Sequence, residues 1–135
     1  MGRRMLLLLP LLAALALAAA CGGDGDGRRQ IEVEAEDFEF SPESWTVPPG
    51  AQVTLTLDNT AIQEHTWTLI ESDNVLTNNS QLAEATILHT TAATAGQTME
   101  GSFTAPEAPG DYQVVCSIPG HLDQGMTATL TVSES

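Results

Sequence analysis

Few residues in this sequence could do chemistry, and four of them combine. The stretch Cys116-Ser-Ile-Pro-Gly-His121-Leu-Asp-Gln-Gly-Met126 carries a thiol, an imidazole and a thioether, with four residues between successive members. Pro119-Gly120 and Gly125 let that stretch fold back on itself. A second imidazole, His65, lies in HTWTLI, where His65, Trp67 and Leu69 share one face of a strand. Two His, one Cys and one Met form the donor set of a mononuclear copper centre of the electron-transfer type. Thiolate and thioether suit Cu(I), and imidazole suits both oxidation states; zinc recruits more Cys or His and no Met. Taken singly, each residue has a plain explanation: a hydrogen-bonded core His, a packing Met, an inert buried Cys. Together, in a loop between two strands and facing an inward His65, they point to one copper ion. His89 falls in an irregular segment and reads as a solvent-exposed side chain rather than a ligand.

The elements that must position these residues are strands. Ile31, Val33 and Ala35 alternate with Glu32, Glu34 and Glu36, and Phe38 and Phe40 continue after a phase slip at Asp37. Trp45 to Val47 forms a short strand ended by Pro48-Pro49-Gly50. Gln52 to Asp58 alternates cleanly, His65 to Ile70 follows, and Thr98 to Phe103, Asp111 to Cys116 and Thr127 to Val132 complete the set. Between 72 and 97 the pattern lapses into an irregular or partly helical insertion. Leu82, Ala85 and Leu88 have helical spacing, which predicts a short helix over 81–89. Gly110-Asp111-Tyr112 fits a tyrosine corner at the start of a late strand. Many short strands with regular turn signals predict an all-β, antiparallel Greek-key sandwich in one domain, 31–135.

The N-terminus reads as an export signal. Met1 to Ala20 has a basic start, Arg3-Arg4, then an apolar run too short for a comfortable membrane span. Cys21 abuts Ala18-Ala19-Ala20, a context that resembles a bacterial lipoprotein signal, with the alternative of simple cleavage after Ala20. Residues 21–30 are glycine-rich and polar, a tether to a lipid anchor on the outer face of the cytoplasmic membrane or in the periplasm. In that oxidising compartment a lipidated Cys21 leaves Cys116 unpaired, so its thiol needs a reason such as burial or metal ligation. After the leader, two Arg and no Lys stand against all 18 acidic residues, a charge of −16. That field repels phosphate backbones and excludes nucleic acid as a partner, while favouring partners with a basic face.

These residues resemble the cupredoxin family of blue copper proteins, most closely the auracyanin and the azurin–plastocyanin kinds. The similarity runs through EDFEFSPESWTVPPGAQVTLTLDN, EHTWTLI and GDYQVVCSIPGHLDQGMTATLTV, and covers about Ile31 to Val132. The resemblance implies a monomeric, non-enzymatic one-electron carrier that cycles Cu(I)/Cu(II) outside the cytoplasmic membrane and docks redox protein partners. It implies His65, Cys116 and His121 as equatorial ligands and Met126 as the weak axial one. The Glu64 carbonyl would approach from the opposite side, and Thr66 would stand where the family commonly has an Asn linking the two ligand loops. It also implies an exposed His121 edge ringed by an apolar docking patch of Ile118, Pro119 and Leu122.

Three other functions fit less well. A copper-delivery or storage protein commonly carries extra exposed Met or His, and beyond the leader and Met126 this chain has only Met99. A multicopper enzyme needs more His than the three present. A metal-free adhesive sandwich leaves the four-donor set unexplained.

Overall fold

The computed structural model describes residues 27–134. The leader at 1–20, Cys21 and most of the tether lie outside the described residues. Among the described residues nine strands run in the order β1 (Arg28–Glu36), β2 (Glu39–Ser41), β3 (Ser44–Val47), β4 (Gln52–Asn59), β5 (His65–Glu71), β6 (Thr86–Ala93), β7 (Thr98–Thr104), β8 (Gly110–Val115) and β9 (Thr127–Val132). Two short 3-10 helices, Asn79–Glu84 and Leu122–Gln124, interrupt them. One sheet has the order β2-β1-β4-β7 and the other β3-β9-β8-β5-β6. The sandwich is mixed rather than wholly antiparallel, because β1 pairs parallel with β4 and β3 parallel with β9. The first strand starts at Arg28, three residues before Ile31, since Arg28 to Gln30 extend the ladder against Gln52 to Thr54.

Period-two alternation explains the packing. Ile31, Val33 and Ala35 of β1 and Val53, Leu55 and Leu57 of β4 turn inward, while the intervening glutamates and threonines stay at the surface or half-covered. From the other sheet Trp67, Leu69, Val114, Ala128 and Leu130 meet them to form the main core. Within that sheet Trp45 packs edge-on to Trp67, with ring centroids 5.8 Å apart. The Tyr112 hydroxyl donates to the Ala108 carbonyl at 2.8 Å, the tyrosine corner that the sequence signalled.

The segment after β5 differs from the expected helix over 81–89. Only Asn79–Glu84 is helical, as a 3-10 turn, and Thr86–Ala93 is a strand paired antiparallel with β5. The β-branched residues Thr86, Ile87, Thr90 and Thr91 favour extended backbone, and the open edge of β5 supplies the ladder. His89 therefore sits on a strand, half-buried, stacked on Phe103 with centroids 4.9 Å apart and bonded to Thr91 Oγ1 at 2.8 Å. Gly101 on β7 lies beneath it; a side chain there would collide with Thr91 and His89.

The same segment covers the second face of β5. His65, Trp67 and Leu69 point into the main core, and Ile70 points the other way. There Ile70, Leu76, Val115 and Leu122 form a smaller buried cluster, with Leu82 and Ala85 packed against it. Gln113 clamps the segment by donating to the Leu76 carbonyl and accepting from the Leu76 N–H. Leu122→Ala should thus cost about 2–5 kcal/mol of stability by emptying a packed site. Urea unfolding checks this, and a loss under about 1 kcal/mol would mean that Leu122 is not packed as described.

Candidate metal centre

The ligand candidates arrive from two places. His65 is the first residue of β5, paired with Ala93 of β6 and facing the core. Cys116, His121 and Met126 lie on the connection from β8 to β9. That loop is closed by its own backbone: Cys116 N–H donates to Met126 O at 3.1 Å, and Met126 N–H donates to His121 O at 3.1 Å. Gly120 and Gly125 take φ values of 86° and 92°, left-handed conformations that a β-carbon disfavours. These two turns bring His121 back over Cys116. His65, Cys116 and Met126 are fully enclosed, and His121 is 5% exposed.

Three donor atoms converge. Cys116 Sγ lies 3.9 Å from His65 Nδ1 and 3.4 Å from His121 Nδ1, and the two Nδ1 atoms are 3.2 Å apart. A triangle with these edges has its centre about 2.0 Å from each corner, close to a metal–imidazole bond length. No other cluster of this kind occurs among the described residues. Two imidazole nitrogens and a thiol sulfur, all enclosed and converging, make a good nest for one soft-to-borderline cation. Burial is the main reason the His65 pKa lies below its usual 6.5; the His121 charge adds to this and Asp37 opposes it. The ring is therefore neutral at neutral pH, the state a metal ligand needs.

The surroundings brace the triangle. Thr66 N–H points at Cys116 Sγ at 3.5 Å. Thr66 Oγ1 accepts from Ser117 N–H at 2.7 Å and pairs with Ser117 Oγ at 2.8 Å, so threonine does link the two ligand segments. Its hydroxyl is held in turn by Thr68. Asn79 donates to the Cys116 carbonyl and accepts from Leu122 N–H, both at 3.0 Å, so the insertion grips the ligand loop at two points. On the other side Phe38 meets the His121 ring edge-to-face at 5.2 Å, and Gln63 Oε1 lies 3.2 Å from His121 Nε2. Asn79, Gln63 and Phe38 carried no signal in the sequence, because each acts through a tertiary contact far along the chain.

The expected docking patch needs correction. Leu122 is 2% exposed and belongs to the smaller cluster, because the 3-10 turn at Leu122–Gln124 swings its side chain inward. Ile118 is half-buried against the main core, and Pro119 stays exposed. The His121 edge is covered rather than presented. Glu64 is exposed beside His65. Ile62, one residue before Gln63, is 84% accessible.

Fold and site together define a cupredoxin-type copper centre, and the comparisons agree. The profile described as "Copper binding proteins, plastocyanin/azurin family" matches residues 28–133, so the chain belongs to the plastocyanin/azurin family of copper-binding proteins. Its cofactor is one copper ion, with His65, Cys116 and His121 placed to hold it. Auracyanin-A of Chloroflexus aurantiacus is 31% identical over 101 residues, spanning 63% of this chain and 62% of that protein. The solved structure of auracyanin A, described as a "blue" copper protein from the same bacterium, superposes with a TM-score of 0.67 at 28% identity, covering 79% of this chain and 100% of that one. Dithionite-reduced auracyanin from Roseiflexus castenholzii matches the fold with a TM-score of 0.67 at 24% identity, covering 78% and 97% of the two chains.

The lowered His65 pKa fixes a pH dependence for the apoprotein. A histidine that protonates less readily folded than unfolded gives the unfolded chain the greater proton uptake as pH falls below the usual 6.5. Burial lowers the His89 pKa too, with the same sign. Apoprotein stability should be full above about pH 6.5 and decline below it, read by urea midpoints between about pH 7 and 5. A midpoint that rises on acidification would contradict the burial of these rings.

Proposed function

We propose that this protein is a blue-copper electron carrier that passes one electron at a time between partners outside the cytoplasmic membrane. The observation that carries the reading is the dry triangle of one sulfur and two Nδ1 atoms with edges of 3.2–3.9 Å. Bound copper supplies the Cu(I)/Cu(II) couple. The chain supplies a donor set that suits both states, fixed by strands and a hydrogen-bonded loop. Met126 is proposed as a fourth, weaker donor that would help hold the copper, since its backbone is tied to both Cys116 and His121 and its side chain is enclosed. The Glu64 carbonyl is proposed as a further, more distant contact. Thr66 N–H directed at the sulfur draws charge from the thiolate and so tunes the potential. Enclosed donors argue for a carrier rather than an enzyme or a delivery protein, both of which need an open coordination position.

The test is optical and electrochemical. Cys116→Ser should abolish the intense thiolate-to-copper band, and Met126→Leu should keep copper and colour while raising the reduction potential. A Cys116→Ser protein that stays intensely blue, or a Met126→Leu protein that loses its copper, would contradict these roles.

Docking is proposed at the metal-proximal end through Pro119, Ile118 and, in place of Leu122, the exposed Ile62 next to Gln63. A small apolar contact suits short-lived encounters. The acidic surface, including the groove lined by Glu43, Glu71, Asp73, Glu84, Asp111 and Asp123, would steer a partner with a basic face. Ile62→Asp should leave the copper spectrum intact and slow electron exchange in stopped-flow mixing with a redox partner; an unchanged rate would place the port elsewhere.

Export through the 1–20 leader, with lipid on Cys21 and a tether between lipid and β1, is proposed for the N-terminal residues. One acyl chain binds membranes only marginally, so firm anchoring calls for multiple acylation. Cys21→Ala should move the protein from the membrane to the soluble fraction, whereas a wild type already soluble without detergent would favour simple cleavage after Ala20.

A further inference from the structure

The two ligand imidazoles differ at their outer nitrogens. His65 Nε2 is buried with no hydrogen-bond partner. His121 Nε2 lies 3.2 Å from Gln63 Oε1, on the loop that leads into β5. A ring nitrogen that binds a metal offers its lone pair, so the ring proton sits on the other nitrogen. With Nδ1 of His121 turned to Cys116 Sγ and His65 Nδ1, the proton belongs on Nε2, where it donates to the Gln63 amide oxygen. Gln63 is itself anchored. Its carbonyl accepts from Asn59 Nδ2 at 2.7 Å, the same Asn59 amide donates to Ala93 O at 2.8 Å, and Asn59 Oδ1 accepts from Ala61 N–H at 3.0 Å. Asn59 is buried. Phe38 bounds another side of the ring.

We propose that Gln63 is a positioning residue for His121: its amide oxygen fixes the Nε2-protonated tautomer, holds the ring toward the donor triangle and makes the imidazole a stronger donor. An acceptor on the far nitrogen raises ligand basicity, and a more basic ligand favours Cu(II) over Cu(I). Gln63 thereby lowers the reduction potential and ties the first-histidine loop to the second histidine. This deepens the copper reading above and rests on it.

The apoprotein gives a readout free of copper. Ring-nitrogen NMR of wild type should show His121 protonated on Nε2, with that proton protected from exchange. Gln63→Leu, similar in size and without an acceptor, should lose the protection, and Gln63→Glu should retain it. In the copper-loaded proteins Gln63→Leu should weaken Cu(II) relative to Cu(I) by roughly tenfold, a rise of about 59 mV for one electron, while Gln63→Glu shows no rise. An Nδ1-protonated His121 in wild type, an unchanged exchange rate in Gln63→Leu, or an unchanged potential in that variant would overturn the proposal. Failure of wild type to form the thiolate-to-copper band would instead overturn the copper reading, with the apoprotein NMR still deciding the role of Gln63.

Discussion

Everything in this structure answers to one unfavourable arrangement: a thiol sulfur and two imidazole nitrogens held face to face in a dry interior. Left to themselves these groups would turn to water or to hydrogen-bond donors. Burial is the main cause of the lowered His65 pKa, and its neighbour His121 is the second. Only a frame whose own packing is favourable can keep such donors pointed at each other. The β-sandwich provides that frame.

The frame works at three levels. The strands fix direction: period two puts His65, Trp67 and Leu69 on the core side of β5, and Val114 and Cys116 on the core side of β8 and its end. The ligand loop fixes distance, through the Cys116–Met126 and Met126–His121 backbone bonds and the two left-handed glycines. The segment after β5 fixes the loop as a body. Asn79 grips Cys116 and Leu122, and Ile70, Leu76, Val115 and Leu122 form a second small core beneath it. Leu122 is therefore structural. Its burial moves the electron's proposed exit toward the Ile62–Gln63 side of His121.

What could be seen in the sequence follows from what is local. Alternation in Ile31 to Glu36 and Gln52 to Asp58 reads directly as half-buried strands, and Gly110-Asp111-Tyr112 announces its corner. The donor residues His65, Cys116 and His121 were legible because Cys116 and His121 share one loop with Met126 at regular spacing and His65 opens an inward-facing strand. The segment at 72–97 was not, because Leu82, Ala85 and Leu88 mimic a helical face by chance. In the structure Leu82 and Ala85 pack on the second core from a 3-10 turn and its end, whereas Leu88 lies on a strand. The pairing of β6 with β5 decides the matter, and a ladder partner many residues away leaves no mark on local periodicity. Gln63, Phe38 and Asn79 were invisible for the same reason, being ordinary residues until the fold sets them against the ligands. Leu122 was misplaced because a loop has no period from which to tell inward from outward.

A crystal structure of the copper-loaded protein decides whether one ion sits where the three donor atoms converge. Copper held by Cys116 Sγ and the Nδ1 atoms of His65 and His121 is the expected result. Copper bound elsewhere, or bound without one of these three atoms, would contradict this centre.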